Sequence, residues 1–400
     1  MLWAQVVIGS ALLGLLIGFV AVNLLGNLAG GDRRFSLTRW EAENFVGTLF
    51  TQLGLGPSPD GRVAEESLLR YFSLTSAIRA ELDEPDADLT LLTALYNERS
   101  VYENDVEEIV ERYIDEAIQA AGLQERMPLF SDIELTWPPV QFELTGPPQL
   151  LVRSPRDRIE RVSDTLLQND LTLADIEQIE HDAEDDDTAA IVVSIGGLAA
   201  YPAIVRDNRT YGSLLDTASH EWVHHYLAFY PLGRTWGRGG DAHVLNETTA
   251  NIAGRAFADL VQQRHSIEFP DGEDGRGPPG GAPLIEFEPV MRQLRLDVDG
   301  LLAADRVAEA EALMERQRQY LEDNGIYIRK INQAYFAFYG SYGDSPASSD
   351  PIGPKIEEIW ERTGEVGTFL KIMREVENVD ELDEVLERVR ASFNPLSGVE

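Results

Sequence analysis

Apolar positions along this 400-residue chain change their spacing several times, and each change predicts a different element. From Leu2 to Leu25 they are nearly continuous, and no charged side chain occurs before Asp32. At about 1.5 Å per helical residue, such a run is long enough to cross a bilayer. From Trp40 to Phe50 and from Val63 to Leu82 they recur at helical spacing, with a breaker at 54–61 that carries Pro57 and Pro59. Val101 to Ala121 predicts a stronger helix, with Val106, Ile109, Val110, Tyr113, Ile114 and Ile118 along one side. The acids Glu107, Glu108 and Glu111 read as its solvated face.

After Gly122 the period falls to two. Ile133–Trp137, Val140–Leu144 and Leu150–Val152 alternate and are divided by Pro138-Pro139 and Pro147-Pro148, which predicts short strands joined by turns. Helical spacing returns over Arg156–Leu167 and Thr172–Glu184. The run His181–Asp187 lacks the spaced ligands and central glycine of a calcium loop and reads as a solvated acidic turn. Ile191–Ile195 is a candidate buried strand, followed by Gly196-Gly197 and a second apolar segment, Leu198–Val205. That segment fits either a core strand or an edge strand able to pair with an extended substrate.

Two further amphipathic helices follow, one around 217–226 that Pro231 stops and one from Leu245 to about His265. Residues 266–285, rich in Pro, Gly and acids, read as a flexible surface loop. Glu286–Glu322 is again amphipathic, Ile326–Tyr342 is dense in aromatics with Asn332, Tyr335 and Tyr339 at helical spacing, and Ile352–Phe393 fits two or three helices. No internal repeat is present. The pattern predicts a mainly helical α+β protein: an anchor over 1–31, a helical region over 37–125, a core over 126–265 and a helical region over 286–400.

Charge narrows the partners. There are 69 acidic against 33 basic residues, for a net charge of -36, a balance that repels nucleic acid and anionic lipid head groups. Cysteine is absent, which excludes disulfides, thiolate metal sites and a cysteine nucleophile. The apolar run has no basic stretch before it and is too long for a cleaved leader, so an uncleaved single-pass anchor is the better reading. Arg33, Arg34 and Arg39 follow it and by the positive-inside rule place the rest in the cytoplasm, the rival being a signal anchor with its domain outside.

The chemistry concentrates in Thr217–Tyr226, which contains H-E-x-x-H as His220, Glu221 and His224. Residues four apart lie on one helix face, so both imidazoles can reach one ion while Glu221 leans over the same place. His225 points off that face, toward packing or a hydrogen bond. A catalytic zinc takes three protein ligands and keeps a position open, so a third donor must come from elsewhere. Leu245-Asn-Glu-Thr-Thr-Ala-Asn-Ile252 follows on the second helix.

With these two segments the chain resembles the gluzincin zinc metallopeptidases, which join H-E-x-x-H to a glutamate on a following helix; the Asn246-Glu247 pair is similar to the form in many of the aminopeptidases. The resemblance spans about 191–265. It implies a zincin-like core, Zn2+ held by His220, His224 and Glu247, Glu221 as general base, and Asn251 as support for a ligand histidine, where some relatives carry aspartate. It also implies a Tyr or His near the oxyanion, for which Tyr335, Tyr339 and His243 are the candidates. The implied activity is hydrolysis of a peptide or protein substrate. Gly196–Val205 holds no acid where aminopeptidases often bind the substrate amine, which leaves exo- and endopeptidase open. An inactive zinc-binding scaffold and a metal-free helical membrane adaptor are the alternatives from other classes.

Overall fold

A computed structural model describes residues 33–41, 43–44, 61–127, 130–267, 269, 285–343 and 345–392. The apolar run 2–25, the breaker at 54–60 and most of the Pro/Gly loop lie outside the described residues. Among those described, no helix is long and apolar enough to cross a membrane.

Three helices open the described part: α1 (Gly61–Leu82), α2 (Leu89–Arg99) and α3 (Glu103–Ala120). Asp88 caps α2 by accepting from Thr90 N and Leu91 N. On α3 the apolar stripe is buried as its spacing predicts, with Val106, Ile109, Val110, Ile114 and Ile118 inaccessible to solvent.

Eight short strands follow: β1 (Glu125–Met127), β2 (Phe130–Leu135), β3 (Phe142–Leu144), β4 (Gln149–Pro155), β5 (Ser163–Leu167), β6 (Thr188–Ser194), β7 (Gly197–Leu198) and β8 (Ala203–Val205). They form a β1-β2 hairpin and two three-stranded sheets ordered β5-β4-β6 and β3-β8-β7. Helix α4 (Leu173–Ala183) lies between β5 and β6 and starts in a capping box of Thr172 and Asp175. The mainly helical α+β class is therefore what the chain adopts.

Three local expectations are corrected. The helix expected over Arg156–Leu167 is a charged turn followed by β5, which pairs antiparallel with β4 from Arg153↔Ser163 to Gln149↔Leu167. The open edge of β4 satisfies the backbone of this segment better than a solvated helical turn would. The apolar segment Leu198–Val205 is two strands, β7 and β8, paired antiparallel; Pro202 between them has no N–H for a ladder. Glu107 and Glu111 are not a solvated face. Their carboxylates accept from Leu144 N at 2.6 Å and Phe142 N at 2.9 Å, closing the edge of β3 that β8 leaves free.

The remaining helices are α5 (Tyr211–Leu227), α6 (Pro231–Arg234), α7 (Asp241–Arg264), α8 (Phe287–Ala303), α9 (Val307–Asp323), α10 (Gln333–Tyr339), α11 (Ile352–Thr363), α12 (Val366–Met373) and α13 (Val379–Ser392). The span expected as one helix over Glu286–Glu322 breaks after Ala303, where Asp305 takes a positive φ of 58°. One core joins α1, α3, α5, α7, α11, α12 and α13 with β3 and β8; a second joins β4 and β6 to α8, α9 and α10. The Ile352–Phe393 region holds three helices, within the expected two or three.

Candidate metal centre

Helix α5 begins at Thr210, whose hydroxyl accepts from Ser213 N at 3.3 Å. Leu214, Leu215, Ala218, Trp222, Val223 and Tyr226 are buried, and Trp222 Nε1 donates to Pro138 O at 2.9 Å. Burying that face fixes the rotation of the helix, which leaves His220 and His224 turned toward α7. Helix α7 approaches closely because Gly254 has no side chain: a Cβ there would lie 3.0 Å from His220 Cα. The backbone of one of the two helices thus rests on the other.

His220 Nε2 and His224 Nε2 lie 2.9 Å apart, and Oε2 of Glu247 is 3.4 Å from the first and 3.6 Å from the second. Oε2 is buried without a hydrogen bond. His224 Nδ1 meets Oδ1 of Asn246 at 2.8 Å, and an amide oxygen only accepts, so Nδ1 carries the proton and Nε2 presents its lone pair inward. Three lone-pair donors therefore converge on one point. Donors about 2.0–2.1 Å from a tetrahedral ion sit about 3.3–3.4 Å apart; the two Glu247 distances are close to that, the two Nε2 atoms at 2.9 Å stand nearer, and the donor set suits a small transition-metal ion. Asn246 is thus the side chain that meets His224 Nδ1. A buried His220, His224 and Glu247 group that can hold a metal ion is what the fold assembles.

Glu221 is buried at 6% exposure and sits against β7: a Cβ on Gly197 would overlap its carboxylate and crowd Thr217. Burial pushes its pKa up, the field of Glu247 adds to this, and His220 and His224 oppose it. Glu247 is the reverse case. Burial pushes it up too, but His224 and His220 outweigh that and hold its carboxyl well below the usual range. No family model, curated protein or solved structure matches the chain.

The tyrosine beside the centre is Tyr342, whose ring lies 6.4 Å from that of His220. Burial pushes its phenol well above the ordinary value, Glu247 and Glu221 raise it further, and Arg161 pulls it back. Its backbone is fixed next door, where Gly343 N donates to Thr248 Oγ1 of α7 at 2.8 Å. Tyr335 packs instead on Phe336 and Tyr339 within the second core. Tyr342 lies past the end of α10 at Tyr339, although at i+7 from Tyr335 it continues the spacing that singles out Tyr335 and Tyr339.

His243 stands on α7 one turn before Glu247, with Nε2 3.6 Å from Glu247 Oε1 and its ring against Trp236. Arg161 Nη1 meets that same Nε2 at 2.8 Å. A guanidinium only donates, so Nε2 accepts and His243 is neutral there. Burial, aided by Arg161 and opposed by Glu247, pushes its pKa down to about 4. The permanent cation on this side is thus Arg161, held by Asp164 at 2.7 Å and lying over Phe338. Sequence spacing gave no sign of it, because its segment reads as helix. His225 faces away, with its ring edge-on to Tyr201 and burial pushing its pKa down to about 4.

Proposed function

We propose that this chain is a membrane-anchored zinc metallopeptidase of gluzincin type with a zincin-like core, His220, His224 and Glu247 being its zinc ligands. The observation that carries the reading is Glu221: a buried carboxyl of raised pKa beside three converged donors and not needed as one of them. A structural metal site has no use for such a group. The ion, when bound, supplies Lewis acidity. Glu221 takes the proton of the attacking water at its carboxylate and returns it to the leaving amine. Tyr342 Oη, kept protonated by burial, donates to the developing oxyanion. Arg161 adds a fixed positive charge on the far side of His243.

The deciding experiment is Glu221→Gln in the zinc-loaded full chain with a peptide library. Hydrolysis should fall about 10²- to 10⁴-fold while zinc content stays near one per chain. Full activity in that variant removes Glu221 as base, and no cleavage by wild type favours a zinc-binding scaffold. The anchor rests on the charge-free run from Leu2 to Leu25. It requires the chain to stay with membranes through carbonate washing, and the Arg33, Arg34 and Arg39 cluster favours the cytoplasmic side for the catalytic part, which protease protection tests.

A further inference from the structure

Resting on that peptidase reading, we infer that Arg206 and Arg209, with Tyr339, form an anion subsite that takes a carboxylate of the substrate peptide. Arg206 is clamped to the turn between β6 and β7: its N donates to Gly196 O at 3.2 Å and its Nη2 to Ile195 O at 2.8 Å. Its Nε is buried and has no acceptor. Arg209 Nη2 lies 4.0 Å from where a Cβ on Gly196 would stand, and Thr217 Oγ1 lies 3.9 Å from the same point. Thr217 also borders Gly197, whose missing side chain makes room for Glu221. The two guanidinium groups thus line the same turn that abuts the general base.

Among the described residues, neither guanidinium has a carboxylate in ion-pair contact. Asp207 attracts Arg206, but its carboxylate is bonded to Arg99. By contrast, Arg156, Arg161, Arg329 and Arg390 each have a carboxylate partner. The two cations repel one another and both favour the ionised form of the Tyr339 phenol, which burial disfavours. A substrate α-amine would be repelled here, whereas a carboxylate would relieve the repulsion and accept charge-assisted hydrogen bonds. The overall negative charge does not forbid it, since exposed charges beyond about 8 Å are screened at physiological salt.

The test uses the zinc-loaded full chain with Glu221→Gln and fluorescein-labelled peptides. Each neutral peptide is compared with one carrying a single Glu, its Gln counterpart, and free-acid and amide C-termini. Binding by fluorescence anisotropy should favour the carboxylate member about 10- to 100-fold, and the preference should collapse in Arg206→Gln and Arg209→Gln. Arg209→Gln removes no hydrogen bond or ion pair among the described residues, so a folding defect does not mask the result. Loss on Glu→Gln assigns a side-chain carboxylate, and loss on amidation assigns the free C-terminus. Equal binding of acid and amide members, no binding, or a preference kept in both arginine variants overturns the inference. If wild type cleaves nothing while the preference persists, the peptidase reading falls and the anion subsite stands.

Discussion

Asn246 Oδ1 accepts from His224 Nδ1 at 2.8 Å, and Asn246 Nδ2 is turned to Leu232 O at 3.5 Å. The second contact sets the amide orientation, and the first sets the histidine tautomer. Partners of this kind typically contribute about 10- to 100-fold in metal affinity. Asn246→Ala should weaken zinc affinity by about that factor, read by competition with a chromogenic chelator. Unchanged affinity would mean that the tautomer is fixed in some other way.

Gly197 has no side chain where one would overlap the Glu221 carboxylate. Gly197→Ala should therefore displace the base and lower kcat by at least about 10-fold while leaving zinc bound. The measurement is kcat alongside metal content. Loss of metal in this variant would place the collision on the ligands instead.

Tyr342 is the phenol against His220. Tyr342→Phe keeps the ring and removes the donor, so kcat should fall about 10²- to 10³-fold with little change in KM. Tyr335→Phe, in the second core, should leave both near wild type. The reverse ranking would move the oxyanion donor back to Tyr335.

Glu111 is held by burial at a pKa of about 8, partly opposed by the bond from Phe142 N. A folded pKa raised above the ordinary carboxylate value favours the protonated form. Its stabilising effect is complete below about pH 4.5 and is lost as pH rises through about 8. Glu111→Gln, which keeps an acceptor for Phe142 N, should gain on the order of 1 kcal/mol or more over wild type at pH 8.5 and little at pH 4.5. Parallel pH profiles in urea melts would contradict this.

The histidine pair was readable because its chemistry is local. His220 and His224 share a helix face by spacing alone, whereas Glu247, on the next helix, came from the resemblance to the gluzincin peptidases. The helical stripe of α3 was equally readable, since apolar period and burial coincide. What escaped depends on partners remote in sequence. Ser163–Leu167 is a strand only because β4 offers an edge, and Glu107 and Glu111 are buried only because β3 presents unpaired N–H groups. Arg161 reaches the centre from a turn, where spacing carries no information, and Tyr342 from beyond the helix end, where the chain need not keep the helical spacing that Tyr342 happens to share.

The bond from Gly343 N to Thr248 Oγ1 spans 95 positions, whereas Asn246 and His224 are 22 apart and His220 and His224 are 4 apart. Sequence-near contacts close faster than sequence-distant ones. During synthesis, the paired helices α5 and α7 emerge complete while Tyr342 is still to be made. On the proposed reading, a nascent chain would therefore have its three candidate ligands in hand before it has the phenol, and metal binding would not wait for Tyr342.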